Sequence, residues 1–127
     1  MTLPHDLTSL VARVLISALF ILFGFEKITG YAGSQAYMEA YGLPGLLLPL
    51  AIVAELGGGL AILLGVFTRT AALALAGFSI VTAIVFHTAW SGDGGQAQLI
   101  NFMKNIALAG GLLLLALNGP GKYAVKD

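Results

Sequence analysis

The sequence predicts an all-α polytopic membrane protein, a bundle of four transmembrane helices that run up, down, up and down. Hydrophobic residues make up 58% of its 127 residues and charged residues 9%, whereas roughly a quarter of a soluble domain is charged. Four apolar runs are long enough to cross a hydrocarbon core about 30 Å thick at ~1.5 Å per residue. We expect one transmembrane domain over residues 1–127, with spans near 7–28, 46–67, 71–90 and 99–117.

Charge and cysteine content exclude several functions. Six basic and six acidic residues cancel, so the chain lacks the basic surface that nucleic-acid binding requires. There is no cysteine, which rules out dithiol chemistry and thiolate metal ligation. No cofactor-binding fingerprint is present, so we expect no intrinsic cofactor, and any redox role must depend on a bound molecule or a partner.

The first run is longer than the apolar part of a signal peptide, and no small-x-small cleavage motif precedes Glu26. We therefore expect a retained transmembrane helix. Helical spacing gives it one stripe that should face the bundle, formed by Arg13, Ser17, Phe20, Gly24 and Lys27. Residues 30–45 follow as an interfacial loop with a short amphipathic helix over residues 34–41. Its three tyrosines fit the headgroup layer, and anchorage is favoured over ligand stacking.

The second run sets Glu55 near the bilayer midplane, where an unpaired charge costs at least ~2.5 kcal/mol. Three glycines at residues 57–59 follow it, and small residues at four-residue spacing let another helix approach closely. Residues 68–70 form a tight connection to the third run, and residues 91–98 read as a flexible glycine-rich turn. The sequence Asn118-Gly119-Pro120-Gly121 ends the fourth helix.

Four spans place both termini on one side of the membrane. That side carries Arg69, Lys122 and Lys126, whereas the other side carries only Lys27 and Lys104 inside helix ends. The lysine and arginine bias predicts that the termini are cytoplasmic.

Polar residues from four helices converge toward the non-cytoplasmic end and predict a polar cavity open to that side. The candidate ligand-binding or buried polar residues are Arg13, Lys27, Glu55, His87, Asn101, Lys104 and Asn105. A purely structural alternative stays open, in which Arg13 and Glu55 hold the bundle together and the two lysines reach toward headgroups. One histidine and one carboxylate fall short of a zinc site, and no nucleophile, base and orienting residue can be assembled for hydrolysis.

Arg13 is the predicted ionic partner of Glu55. Counted from the cytoplasmic ends of their predicted spans, the two residues differ in depth by about 9 Å, and Lys27 differs from Glu55 by about 12 Å. The planar arginine fork also suits a buried carboxylate.

Three segments in order give the chain a family resemblance. After Arg13 come FGFEKITG at residues 23–30, AELGGGLAILLGVFTR at 54–69 and NFMKNIALAGGLLLLALNGPG at 101–121. Together they resemble the DoxX family of four-helix inner-membrane proteins, which is similar to the small subunit of archaeal thiosulfate:quinone oxidoreductase and more distantly to the methylamine-utilisation protein MauE. The resemblance marks these positions: Arg13, Gly24, Lys27, Glu55, Gly65, Arg69 and Gly119-Pro120-Gly121.

The resemblance implies a redox-linked setting in the inner membrane, and two functions follow. In the first, the chain is a quinone-linked oxidoreductase subunit that binds a quinone headgroup or a small sulfur-containing anion, with Lys27 or Lys104 as electrostatic partner and Glu55 as proton acceptor. In the second, it is a non-enzymatic membrane module that binds lipid or scaffolds a redox partner protein. The sequence leaves open whether the chain is an enzyme and whether it forms a homo-oligomer.

Overall fold

The computed structural model describes residues 3–125 and confirms the all-α, four-span fold. Its helices are α1 (His5–Thr29), α2 (Tyr31–Ala40), α3 (Leu48–Ile52), α4 (Gly58–Leu64), α5 (Thr68–Phe86) and α6 (Gly95–Asn118). A 3₁₀ turn (Gly45–Leu47), α3, a π-helical segment (Val53–Gly57) and α4 together make the second span, Gly45–Leu64. The other three spans are α1, α5 and α6.

The stripe predicted on the first span faces the bundle. Arg13, Ser17, Phe20 and Gly24 are all buried in α1. The helical core of the bundle lies around Ile62, Leu75 and Leu112. The short amphipathic helix predicted between the first two spans is present as α2, although it begins at Tyr31, directly after α1.

The second and third spans begin and end earlier than predicted. The connection between them is residues 65–67, because Gly65 adopts a left-handed φ of 76° and Phe67 one of 48°, whereas residues 68–70 already form the first turn of α5. Val66 and Phe67 are apolar, so hydropathy alone could not place this turn.

The loop between the third and fourth spans covers residues 87–94, four residues earlier than predicted. Helix α5 ends at Phe86, and the Trp90 indole donates to the His87 carbonyl at 2.8 Å, which satisfies an acceptor that a continuing helix would have used. Gly92 and Gly94 adopt left-handed φ values, and α6 starts at Gly95. This helix therefore includes residues 95–98, which the sequence pattern assigned to the loop.

Glycines on the second span make its close contacts with neighbouring helices. A Cβ on Gly58 would lie 2.9 Å from Leu75 of α5, and one on Gly59 would lie 3.0 Å from Ile21 of α1. We expect Gly58→Leu and Gly59→Leu each to lower the free energy of unfolding by about 1–3 kcal/mol through overpacking. The matched control is Gly57→Leu, since a Cβ there meets no atom within 4 Å. Thermal unfolding in detergent measures all three variants, and equal stabilities would contradict this packing.

The first and last described segments of the chain lie at the same end of the bundle, here called the termini end. Ser9 Oγ donates to the Pro120 carbonyl at 2.8 Å, and the Lys122 amide donates to Asp6 Oδ1 at 2.9 Å. The opposite end is called the distal end. Two of the basic residues used to orient the bundle, Arg69 and Lys122, belong to the termini end, and Lys126 lies outside the described residues.

The basic residues at the termini end predict that this end is cytoplasmic. A green fluorescent protein fused after Asp127 should therefore fluoresce in cells. The same reporter placed after Gly92, in the loop at the distal end, should stay dark, whereas alkaline phosphatase at that position should be active. The reverse pattern would contradict the orientation.

Candidate functional site

Glu55 is the buried carboxylate at the centre of the distal half of the bundle. It belongs to the π-helical segment Val53–Gly57, and only 2% of its surface is exposed. Its Oε1 lies 2.7 Å from Lys27 Nζ of α1. A π segment adds a residue to a helical turn and often marks a functional site. Here it lies where the second span presents this carboxylate to α1.

The predicted pairing of Glu55 with Arg13 is wrong. The expected depths came from aligning the two spans end to end, but Gly24 lies against Leu56 and Gly59 against Phe20 and Ile21. The register of α1 against the second span is therefore shifted by about six residues, or roughly 9 Å. This shift brings Lys27 to Glu55 and takes Arg13 away from it.

Arg13 instead binds the end of the second span and the C-terminal segment. Its Nη1 donates to the carbonyls of Ile62 and Leu63, each at 3.0 Å, and its Nη2 donates to the carbonyl of Tyr123. The carbonyls in the last turn of a helix lack intrahelical partners, and a cation there is also favoured by the helix dipole. Arg13 is fully buried, so it closes the termini end of the bundle.

Lys104 of α6 provides a second ammonium group in the distal half. Its Nζ lies 4.8 Å from the centre of the Phe23 ring, and Lys27 Nζ lies 5.9 Å from the same ring. Within residues 3–125, the structure places no carboxylate within 4.0 Å of Lys104 Nζ. Two ammonium groups thus lie near the buried carboxylate of Glu55, and the exposed carboxylate of Glu26 is a further neighbouring charge. The N–H groups of the two lysines suit a ligand that accepts hydrogen bonds.

A cavity of about 760 Å³ contains this polar centre. Its walls are largely apolar, and five of the predicted site residues contribute to them: Lys27, Glu55, His87, Lys104 and Asn105. Arg13 and Asn101 do not line it. Asn105 donates to Thr82 Oγ1 at 3.1 Å, and Thr82 donates to the Ser79 carbonyl at 3.1 Å, which fixes the polar groups between α5 and α6. A volume of several hundred Å³ is typical of ligand pockets.

Helix α2 lies over the distal end of the cavity. Tyr37 stacks on Phe86 of α5 with ring centres 5.4 Å apart, and Tyr41 meets the same ring at 5.1 Å. Partial burial, together with the neighbouring Tyr41, raises the pKa of Tyr37 to about 12. The end that the sequence predicted to be open is therefore partly covered by an aromatic cluster of Tyr37, Tyr41 and Phe86.

His87 is held at the edge of this cavity by a partner on α6. Its Nδ1 lies 3.0 Å from Gln98 Oε1. Sequence reasoning missed Gln98 because it assigned residues 91–98 to a turn. It also missed Phe23, although the four-residue spacing of Phe23 and Lys27 on one helix face is a visible signal for a cation–π pair.

The comparison with known protein families agrees with this architecture. The DoxX family model matches residues 8–88, which include most of α1, the whole second span and Glu55. The chain belongs to the DoxX family. It is similar to two proteins of Escherichia coli (strain K12). It is 54% identical over 121 residues to inner membrane protein YqjF, and the match covers 95% of this chain and 91% of the relative. It is 40% identical over 120 residues to inner membrane protein YphA, and the match covers 91% of this chain and 86% of the relative. No solved structure matches the chain.

With four apolar spans and two inner-membrane relatives, this DoxX protein is an integral inner-membrane protein. The positions marked by the DoxX resemblance fall into two groups in the structure. Lys27 and Glu55 line the cavity, and Gly24 lies one turn away at the contact of α1 with Leu56. The others lie at the termini end, where Arg69 Nη1 donates to the Leu117 carbonyl at 3.2 Å and Arg13 binds the C-terminal segment.

Proposed function

We propose that this DoxX protein is a quinone-linked oxidoreductase subunit that binds a quinone headgroup in the distal cavity. The observation that carries the proposal is the composition of the cavity: its largely apolar walls carry two ammonium groups, the buried carboxylate of Glu55 and the exposed carboxylate of Glu26. A quinone head has an apolar ring face and carbonyl oxygens that accept hydrogen bonds, so it complements both features.

The residues have distinct roles in this proposal. Lys27 is already paired with Glu55, whereas within residues 3–125 the Lys104 ammonium group lies over the Phe23 ring and has no carboxylate within 4.0 Å. Lys104 is therefore the donor available to a ligand carbonyl. Hydrogen bonds to a charged group contribute roughly 1.5–3 kcal/mol.

Glu55 is the residue that exchanges protons with the ligand in this proposal. Interconversion of a quinone and a quinol moves protons onto or off the ring oxygens, and Glu55 is the carboxylate that lines the cavity at its centre. The electrons must come from, or pass to, a redox partner protein, because the chain offers no cysteine pair for them. A small sulfur-containing anion would use the same lysines and is the competing ligand.

Extraction of the purified protein followed by mass spectrometry tests the proposal. We expect bound quinone, and we expect added quinone to raise the melting temperature in nanodiscs. Lys104→Gln should weaken quinone binding by about tenfold or more. Lys122→Gln is the matched control, since Lys122 lies at the termini end near Tyr123. Absence of quinone together with no effect of added quinone would contradict the proposal.

The same extraction distinguishes the non-enzymatic alternative. A module that binds lipid or scaffolds a redox partner would carry phospholipid in place of quinone. Added quinone would then leave the melting temperature unchanged, both for the unmodified protein and for Lys104→Gln. A thiosulfate-dependent rise in melting temperature without bound quinone would indicate the anion.

A further inference from the structure

The cavity has one side on which neighbouring helices do not pack. Helix α4 packs against both α1 and α5, whereas α3, earlier in the same span, packs against α1 and α2. Within residues 3–125, no Cα atom of α3 lies within 8 Å of one in α5. The π segment Val53–Gly57 separates the two halves, and π segments are known sites of helix bending. The second span therefore diverges from α5 at the residue that carries the polar centre.

The gap left by this divergence leads into the cavity. Leu50, Ala51 and Ala54 line the cavity from the second span, and Val81 and Val85 line it from α5. Leu50 is 66% exposed and Val81 is 58% exposed. Both residues lie within membrane spans, so the part of their exposed surface that faces away from the cavity contacts hydrocarbon. The gap is thus an apolar opening between the cavity and the bilayer interior, here called the lateral opening.

Packed helices and aromatic rings close other sides of the cavity, whereas the exposed residues Glu26, Gly30 and Gly33 line it where α1 meets α2. Gly24 and Gly59 bring α1 against the second span, and Asn105 bonds Thr82 across α5 and α6. Lys104 lies over the Phe23 ring between α6 and α1, and the aromatic cluster of Tyr37, Tyr41 and Phe86 covers the distal end.

We infer that the ligand of this cavity is a quinone with a long isoprenoid tail, which reaches the site from the bilayer and leaves its tail in the lateral opening between α3 and α5. This inference rests on the proposed function and adds the ligand class and the route. The cationic inner end of the cavity holds the carbonyl head, and the hydrocarbon-facing outer end accepts the tail. A polar molecule from the aqueous side would gain nothing from an opening lined by leucine, alanine and valine.

The test compares two ligands on two variants of one helix. Val81→Trp fills the lateral opening, and Ile84→Trp is its control, because Ile84 is equally exposed at 58% on α5 and does not line the cavity. The ligands are a benzoquinone with a full isoprenoid tail and the same head without a tail. Their dissociation constants are measured in nanodiscs by ligand-dependent melting.

We expect Val81→Trp to weaken binding of the tailed quinone by about tenfold or more through steric overpacking, with less than about a twofold change for the tail-less head. Ile84→Trp should leave both constants unchanged. Ala51→Trp, on the opposite side of the lateral opening, provides a second variant with the same expected selectivity.

Three outcomes overturn the inference. If both blocking variants bind the tailed quinone normally, the lateral route is wrong and the proposed function stands. If they weaken both ligands equally, the tryptophan fills the head site and the opening has no separate role. If the unmodified protein binds neither ligand, the proposed function fails with the inference.

Discussion

Replacing Arg13 by alanine is expected to destabilise the bundle by about 3 kcal/mol or more, since each carbonyl left without a partner in a buried site costs roughly 1–3 kcal/mol. The arginine donates to the carbonyls of Ile62, Leu63 and Tyr123, and its side chain is fully buried. Its loss leaves the end of α4 without a cap and frees the C-terminal segment from the bundle. Unfolding in detergent, followed by circular dichroism, measures the loss.

Two further variants isolate the cause. Arg13→Lys keeps the charge, but one ammonium group cannot reproduce the planar arginine fork across these acceptors, so an intermediate loss is expected. Arg69 is an exposed arginine at the same end, so Arg69→Ala should lower the free energy of unfolding by less than Arg13→Ala does. A loss below about 0.5 kcal/mol for Arg13→Ala, typical of surface substitutions, would show that its contacts do not stabilise the fold.

Lys27→Ala is expected to cost about 3–5 kcal/mol, the range for breaking a buried ion pair by removing one partner. The reason is that Glu55, with its side chain 3% exposed, would lose its ion-pair partner at 2.7 Å and keep only the more distant charge of Lys104. Glu55→Ala should cost less, because the side chain of Lys27 is 31% exposed and its ammonium group can extend toward the headgroups.

A double-mutant cycle measures the interaction itself. We expect Lys27→Ala/Glu55→Ala to cost less than the sum of the single changes, whereas Arg13→Ala should add to Glu55→Ala within about 0.5 kcal/mol. Non-additivity of Arg13 with Glu55, or additivity of Lys27 with Glu55, would contradict the observed pairing. All variants of the cycle are unfolded in the same detergent.

Hydropathy and length were sufficient to predict the four spans and their order, because a bilayer imposes a minimum apolar length on each helix. The buried stripe of α1 was also predictable, since helical periodicity fixes which side chains share a face. The end of the second span was not predictable from hydropathy, because Gly65, Val66 and Phe67 form a turn although they contain no polar side chain.

The composition of the polar centre was predictable, but its pairing was not. Lys27, Glu55 and Lys104 stand out in sequence because charges within spans are rare. Which of them meet depends on the register between helices, and that register follows from close contacts such as Gly24 against Leu56, which hydropathy does not reveal. The π segment at Glu55 could not be predicted for the same reason, because it also depends on how the second span packs against its neighbours.

The most direct test of the account maps where a quinone binds. A photoreactive azidoquinone is illuminated with the protein in nanodiscs, and the labelled peptides are identified by mass spectrometry. We expect labels near Phe23 and Lys27 of α1 and near Lys104 and Leu108 of α6, which line the same cavity, and we expect excess unlabelled quinone to suppress them. Labelling confined to the termini end near Ser9 and Gly119, or labelling that excess quinone does not reduce, would contradict quinone binding in the distal cavity.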